Sequence, residues 1–242
     1  MRRGIRCRRE VINDLINEYD SIVSSQYSGD YLKAIQNFDN IAENNLRSIL
    51  EKFYSNKTSR DQAWKSCKGE LYEYAVFKYL KNTIEMDEEL TSKYHVLRGS
   101  EGLIPYGDKI TIRNWSVIYP DADILVIEKK TESVKVIISC KTSLRERLTE
   151  TAFWKRELER NKSTRNIKVV FITTDKDNEL KIDTNRYILL HVIDCTFVTD
   201  PLKYKNVIEY LKEKYSDKKD FKKLYAKLKF IEEFPYFLKQ LA

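Results

Sequence analysis

Residues 123–141 read DILVIEKKTESVKVIISCK, two apolar β-rich runs joined by a short polar stretch. Runs of that length around a polar break predict a hairpin, with Lys129–Ser133 as its turn. Pairing would bring the entrance of the first run and the exit of the second to the same end of a sheet. Asp123 then stands beside Lys141, with Asp121 two residues upstream after Tyr119-Pro120. Period-two alternation aims Ser139 and Lys141 at one face of their strand. A carboxylate and an ammonium placed so closely can hold a divalent cation against a phosphate, steady an attacking water and stabilise the charge that develops.

The surrounding pattern indicates a mixed sheet covered by helices. Up to about residue 95 the chain has helical periodicity: Val11, Leu15, Tyr19 and Val23 recur at steps of four. The runs NNLRSILEKFY and CKGELYEYAVFKYLKN repeat that spacing, with Ser55–Ser59 expected as a loop between them. Residues 109–118, 123–128 and 134–140 are the β-rich runs, and TETAFWKRELERNK then reads as a helix. IKVVFITTD and RYILLHVID are largely apolar and are expected as strands buried on both faces. Residues 203–215 and 218–240 return to helical spacing. The organisation predicted is one domain over 1–242, with a mainly helical part at 1–95, a sheet core at 96–200 and C-terminal helices at 201–242.

The remaining totals narrow the chemistry. Four scattered cysteines without a CxxC pair, and only two histidines, argue against a zinc site and against a disulfide scaffold. The cysteines are expected as small buried hydrophobes in a reducing compartment, and His95 and His191 as structural. A catalytic metal must then be held by oxygen ligands, which points to a hard ion such as Mg²⁺. No apolar run approaches the ~20 residues of a membrane span. The start, MRRGIRCRRE, is basic but lacks a signal's apolar stretch, so the expectation is a cytoplasmic protein. The net charge of +7 favours a polyanionic partner. Basic residues crowd two places: Arg2 to Arg9, and the region from Arg145 through Lys155, Arg156, Arg160, Lys162 and Arg165. The aromatic C-terminus (Phe221, Tyr225, Phe230, Phe234, Tyr236, Phe237) is expected as core or dimer packing, as are Phe153 and Trp154.

Pro120-Asp121 (or Asp123), a β-run and a strand ending on Lys141 together resemble the PD-(D/E)xK nuclease motif of many type II restriction endonucleases. The resemblance covers roughly residues 68–160. It implies an α/β fold with a mixed central sheet flanked by helices, extended here by N- and C-terminal helical segments. The stretch Lys68-Gly69-Glu70-Leu71-Tyr72-Glu73 is similar to the family helix that lends a further glutamate to the metal site, which marks Glu73 first and Glu70 second. Ser139 occupies the family's usual Asp/Glu position. In the subgroup that reads CCGG or CCNGG sites a serine or threonine stands there, and a glutamate on the next helix replaces the lost carboxylate. That glutamate lies thirteen or fourteen residues beyond the lysine in the subgroup. Here the interval falls on Trp154 or Lys155, and Glu150 and Glu157 are the nearest candidates, each about one helical turn, ~5 Å, away.

The same subgroup carries a base-reading element of the form Arg-(x)-Asp/Glu-Arg, which Arg145-Glu146-Arg147 resembles. Arginine pairs bidentately with guanine and glutamate accepts from cytosine N4. The resemblance thus implies a homodimeric, Mg²⁺-dependent restriction endonuclease acting on duplex DNA at a short palindromic G·C-containing site, without an organic cofactor. Asp123, Asp121 and Glu73 would hold the metal, and Lys141, Ser139, Glu150 and Glu157 would complete the catalytic set. Two other readings fit the same residues: a structure-selective nuclease of the junction-resolvase or repair type, and a DNA-binding protein whose catalytic centre has decayed at Ser139.

Overall fold

A computed structural model of the chain describes residues 7–113, 115, 117–144 and 147–241. The 123–141 segment forms the expected antiparallel hairpin: β4 (Ile124–Glu128) pairs with β5 (Ser133–Lys141), Ile124 opposite Ile138. Around it a six-stranded sheet runs in the order β1-β4-β5-β6-β7-β8. β1 (Tyr94–Arg98) is antiparallel to β4, while β6 (Lys168–Thr173), β7 (Cys195–Val198) and β8 (Leu228–Phe230) continue from β5 in parallel.

Side-chain alternation in these strands serves two cores. Ile124, Val126, Val136, Ile138 and Cys140 pack with the N-terminal helices, while Leu125, Ile127, Ile137, Val169 and Phe171 pack on the opposite side. The first layer comprises α1 (Arg9–Gln26), α2 (Tyr31–Gln36), α3 (Phe38–Ile41), α4 (Lys57–Glu85) and α5 (Glu88–Lys93). A π-helical turn and a 3₁₀ segment, residues 42–52, join α3 to the loop before α4. α4 is the long element, about 43 Å by its residue count. Asn56 caps it by accepting from the backbone amides of Thr58 and Ser59, so the helix starts inside the stretch expected as a loop at 55–59. The second layer is built from α6 (Ser100–Ile110), α7 (Arg147–Arg160), α8 (Asp183–His191), α9 (Pro201–Tyr215) and α10 (Phe221–Lys227). α11 (Phe234–Lys239) returns to the first layer through Phe234 and Leu238.

Three local readings change. Residues 109–118 are not one strand: α6 ends at Ile110, and a two-stranded hairpin, β2 (Ile112–Arg113) with β3 (Val117–Ile118), follows it. RYILLHVID is the end of helix α8 and the turn after it, and the strand begins at the next residue, Cys195. A short, almost wholly apolar run fits a buried helix face as well as a strand; here Asn185 and Leu189, four apart, are the buried positions. The 218–240 helix is interrupted by β8, whose Leu228 and Phe230 pair with Thr196 and Val198 and extend the parallel part of the sheet.

The cysteines also divide differently. Cys140 and Cys195 are free and buried, as expected, but Cys7 and Cys67 form a disulfide that ties the start of the chain to α4. Sixty residues separate the two, so sequence spacing carried no signal of the pairing. His95 lies beside Tyr106 and His191 beside the exposed Tyr187. No helix among the described residues is long and apolar enough to cross a membrane.

Candidate active site

The carboxylates and the lysine meet where the β4–β5 hairpin opens against α4. The amide of Asp123 donates to the Ile138 carbonyl (3.1 Å), which extends the ladder one residue beyond β4. Its carboxylate accepts from the Cys140 amide (2.7 Å) and from Lys141 Nζ (2.7 Å). With only 8 % of its surface exposed, Asp123 is a fixed group and not a solvated turn residue. Lys141 Nζ lies 3.4 Å from Glu73 Oε1 on α4 and 4.0 Å from Asp121 Oδ2 in the loop before β4. One ammonium thus faces three carboxylates, one from α4 and two from the segment that leads into β4. Glu70, one turn earlier on α4, makes no ion pair among the described residues and meets the site only through its backbone carbonyl.

Negative charge exceeds positive here, and the proton affinities show it. Burial and the neighbouring Asp123 push the Glu73 carboxyl up to about 8, with Lys141 and Arg98 pulling the other way. Burial and Asp123 likewise raise Asp121. Burial alone would lower Lys141, but Asp123, Glu73 and Asp121 outweigh it and hold the ammonium firmly charged. No three acidic, thiol or imidazole groups among the described residues close around a point as a ready-made metal cage, because Lys141 stands between them. The donor set nevertheless suits a hard divalent ion: every candidate ligand is a carboxylate oxygen, and the site carries surplus negative charge.

Arg98 gave no sequence signal. It ends β1, donates to the Glu70 carbonyl (3.3 Å) and lies over the Tyr74 ring at 5.4 Å, bracketing Glu73 on α4. Only the tertiary pairing of β1 with β4 carries it there. Ser139 is buried and pairs in register with Phe171 of β6, two residues before Lys141.

α7 separates the two candidate glutamates. Glu150, in the first turn, pairs with Arg147 (3.1 Å) and is near enough to raise Asp121 further, whereas Arg147 lowers it. Glu157 pairs with Arg160 (3.1 Å), two turns and about 10 Å farther along the helix. Phe153 and Arg156 between them face outward, while Trp154 is buried and Lys155 is 3 % exposed and pairs with Asp194 at 2.7 Å. Arg145 and Glu146 lie outside the described residues. Their neighbours are pinned, since the Thr142 carbonyl accepts from the Lys176 amide (3.1 Å) and the Leu144 amide donates to Glu179 (2.6 Å). Arg147, the first residue of α7, has half its side chain exposed.

Comparison with known proteins agrees in kind. The family described as "BsaWI restriction endonuclease type 2" matches residues 96–224, from β1 into α10. The "Putative type II restriction enzyme MjaVIP" of Methanocaldococcus jannaschii is 29 % identical over 170 residues, covering 63 % of this chain and 75 % of the relative. The "Probable type II restriction enzyme HpyAORF263P" of Helicobacter pylori is 30 % identical over 103 residues, 42 % of this chain and 52 % of that one. A solved complex of the restriction endonuclease PspGI with substrate DNA superposes with a TM-score of 0.62 over 95 % of this chain and 92 % of the other; at 16 % identity that likeness concerns the fold.

Proposed function

We propose, because the chain belongs to the BsaWI family of type II restriction endonucleases, that it cleaves both strands of duplex DNA at a short palindromic site containing G·C pairs, with Mg²⁺ as its cofactor. Membership makes it a site-specific deoxyribonuclease; the site residues, the ion, the sequence class and the assembly are our reading. The observation that carries the reading is Lys141 Nζ at 2.7 Å from Asp123 and 3.4 Å from Glu73, at one end of the sheet.

In this reading Asp123, Glu73 and Asp121 hold the ion. When bound, it supplies Lewis-acid polarisation of the scissile phosphate. Lys141, kept protonated by its three carboxylate neighbours, orients the attacking water and stabilises charge developing on the phosphate. Asp123 keeps its orientation through the Cys140 amide. Glu150, in the first turn of α7 with its charge felt by Asp121, stands in for the carboxylate absent at Ser139, and Glu157, about 10 Å farther along the helix, is the alternative. Glu146 and Arg147 read base edges in the major groove, and Arg145 supports them or contacts phosphate. The whole chain acts as one catalytic unit, because α4 of the helical part supplies Glu73 to the sheet core. A homodimer places one such unit on each half-site of a palindrome.

The test is digestion of plasmid DNA in Mg²⁺ and in EDTA. Discrete fragments in Mg²⁺ alone support the reading. Cleavage restricted to branched DNA, or binding without cutting, would replace it with a structure-selective nuclease or a decayed one.

A further inference from the structure

The small β2–β3 hairpin stands directly before the loop that carries Asp121. Ile112 pairs with Ile118 and Arg113 with Val117, so the turn is centred on Trp115. That indole is fully exposed (102 %), and Val117 and Tyr119 beside it are exposed too. Exposed aromatics clustered on one projection mark contact surfaces, since isolated ones rarely carry such neighbours. The projection is braced rather than loose. The Tyr119 ring lies against Gly107 of α6, where a Cβ would come within 2.9 Å of it.

Position selects the partner. Trp115 is eight residues from Asp123, a reach of no more than about 29 Å along extended chain. That is less than one turn of B-DNA, about 34 Å, so the hairpin stands within one turn's length of the site at which the duplex is cut. The apolar face of Trp115 and Val117 suits the sugar walls and base faces that apolar wedges meet in the minor groove.

We propose that the β2–β3 hairpin is a second DNA-contacting element, in which Trp115 docks on the duplex beside the cut site and adds affinity without reading the recognition sequence. The inference rests on the nuclease reading above.

The chain has three tryptophans, and the other two, Trp64 and Trp154, are 4 % and 8 % exposed. Red-edge, acrylamide-accessible fluorescence therefore reports Trp115. The full-length protein is titrated with a duplex carrying its cleavage site and with an unrelated duplex, in EDTA, while complex formation is scored by gel shift. Both duplexes should quench that emission and protect it from acrylamide. Trp115→Ala should weaken binding to both roughly tenfold, within the ~1–3 kcal/mol found for one base–aromatic stack. Trp115→Phe should retain most of the affinity, and the cleaved sequence should not change. A gel shift with unaltered Trp115 emission and acrylamide access overturns the hairpin inference and leaves the nuclease reading standing. So does protection that grows with protein concentration before any DNA is added, which would assign the hairpin to a second copy of the chain. A protein that neither binds nor cuts DNA overturns both.

Discussion

At the scale of single residues, the proposed chemistry turns on Lys141. Three carboxylates converge on its ammonium, and Asp123 is buried against it. Lys141→Ala should lower the cleavage rate by at least 10²-fold, the usual cost of removing one preorganised charge stabiliser, while gel-shift affinity for the same duplex stays near wild type. Glu73 gives a pH prediction with a definite sign. Its folded value of about 8 lies above the ordinary 4.5, so between those values the folded protein holds a proton that the unfolded chain releases. Metal-free stability contributed by this group therefore falls as pH rises from about 4.5 towards 8. Urea midpoints in EDTA at pH 5.5 and 8.5 should differ less for Glu73→Gln than for wild type, and Mg²⁺ should recover wild-type stability most at the higher pH. Glu73 was marked only through the resemblance of its helix to that of the nuclease family, whereas Asp123 and Lys141 were legible in the sequence because a hairpin places them together locally. Arg98 and Trp115 were not: the first acquires its neighbours from the β1–β4 pairing, the second from a turn inside what reads as one β-run.

Among the elements, α7 has the most to position, since its first turn carries Arg147 and Glu150 beside Asp121. Its anchor is the buried pair of Lys155 with Asp194, which joins the helix to the segment before β7. Removing Lys155 leaves Asp194 to the Val169 amide (2.8 Å) and the half-exposed Lys168 (3.5 Å), so the cost falls at the low end for a buried pair. Lys155→Ala should cost about 3 kcal/mol in denaturant unfolding, far more than truncation of the exposed Arg156 on the same helix. The Cys7–Cys67 disulfide acts on α4 in a different way, by shortening the unfolded chain's loops. Closing a loop of this length is worth about 4 kcal/mol, so reductant should lower the melting temperature by roughly 8–16 °C. Helices with clear periodicity, α1 and α4, and the β4–β5 hairpin were readable. α8 was not, because a run as apolar as YILLHVI has no polar face to reveal its period. β8 was hidden for a related reason: three residues between two helical stretches are too few to show alternation.

For the molecule as a whole, the proposed function has one sheet tie cutting to reading. In that reading β5 delivers Lys141 to the phosphate, and α7 begins six residues later with Arg147. A homodimer built from such units should cut both strands within one short palindrome. The decisive measurement is a digest of a plasmid of known sequence with wild type and Lys141→Ala, in Mg²⁺ and in EDTA, followed by sequencing of the fragment ends. The account predicts that wild type in Mg²⁺ gives ends mapping to one short G·C-containing palindrome, and that neither the variant nor EDTA does. Ends scattered without a shared sequence, or undiminished cutting by Lys141→Ala, would contradict it.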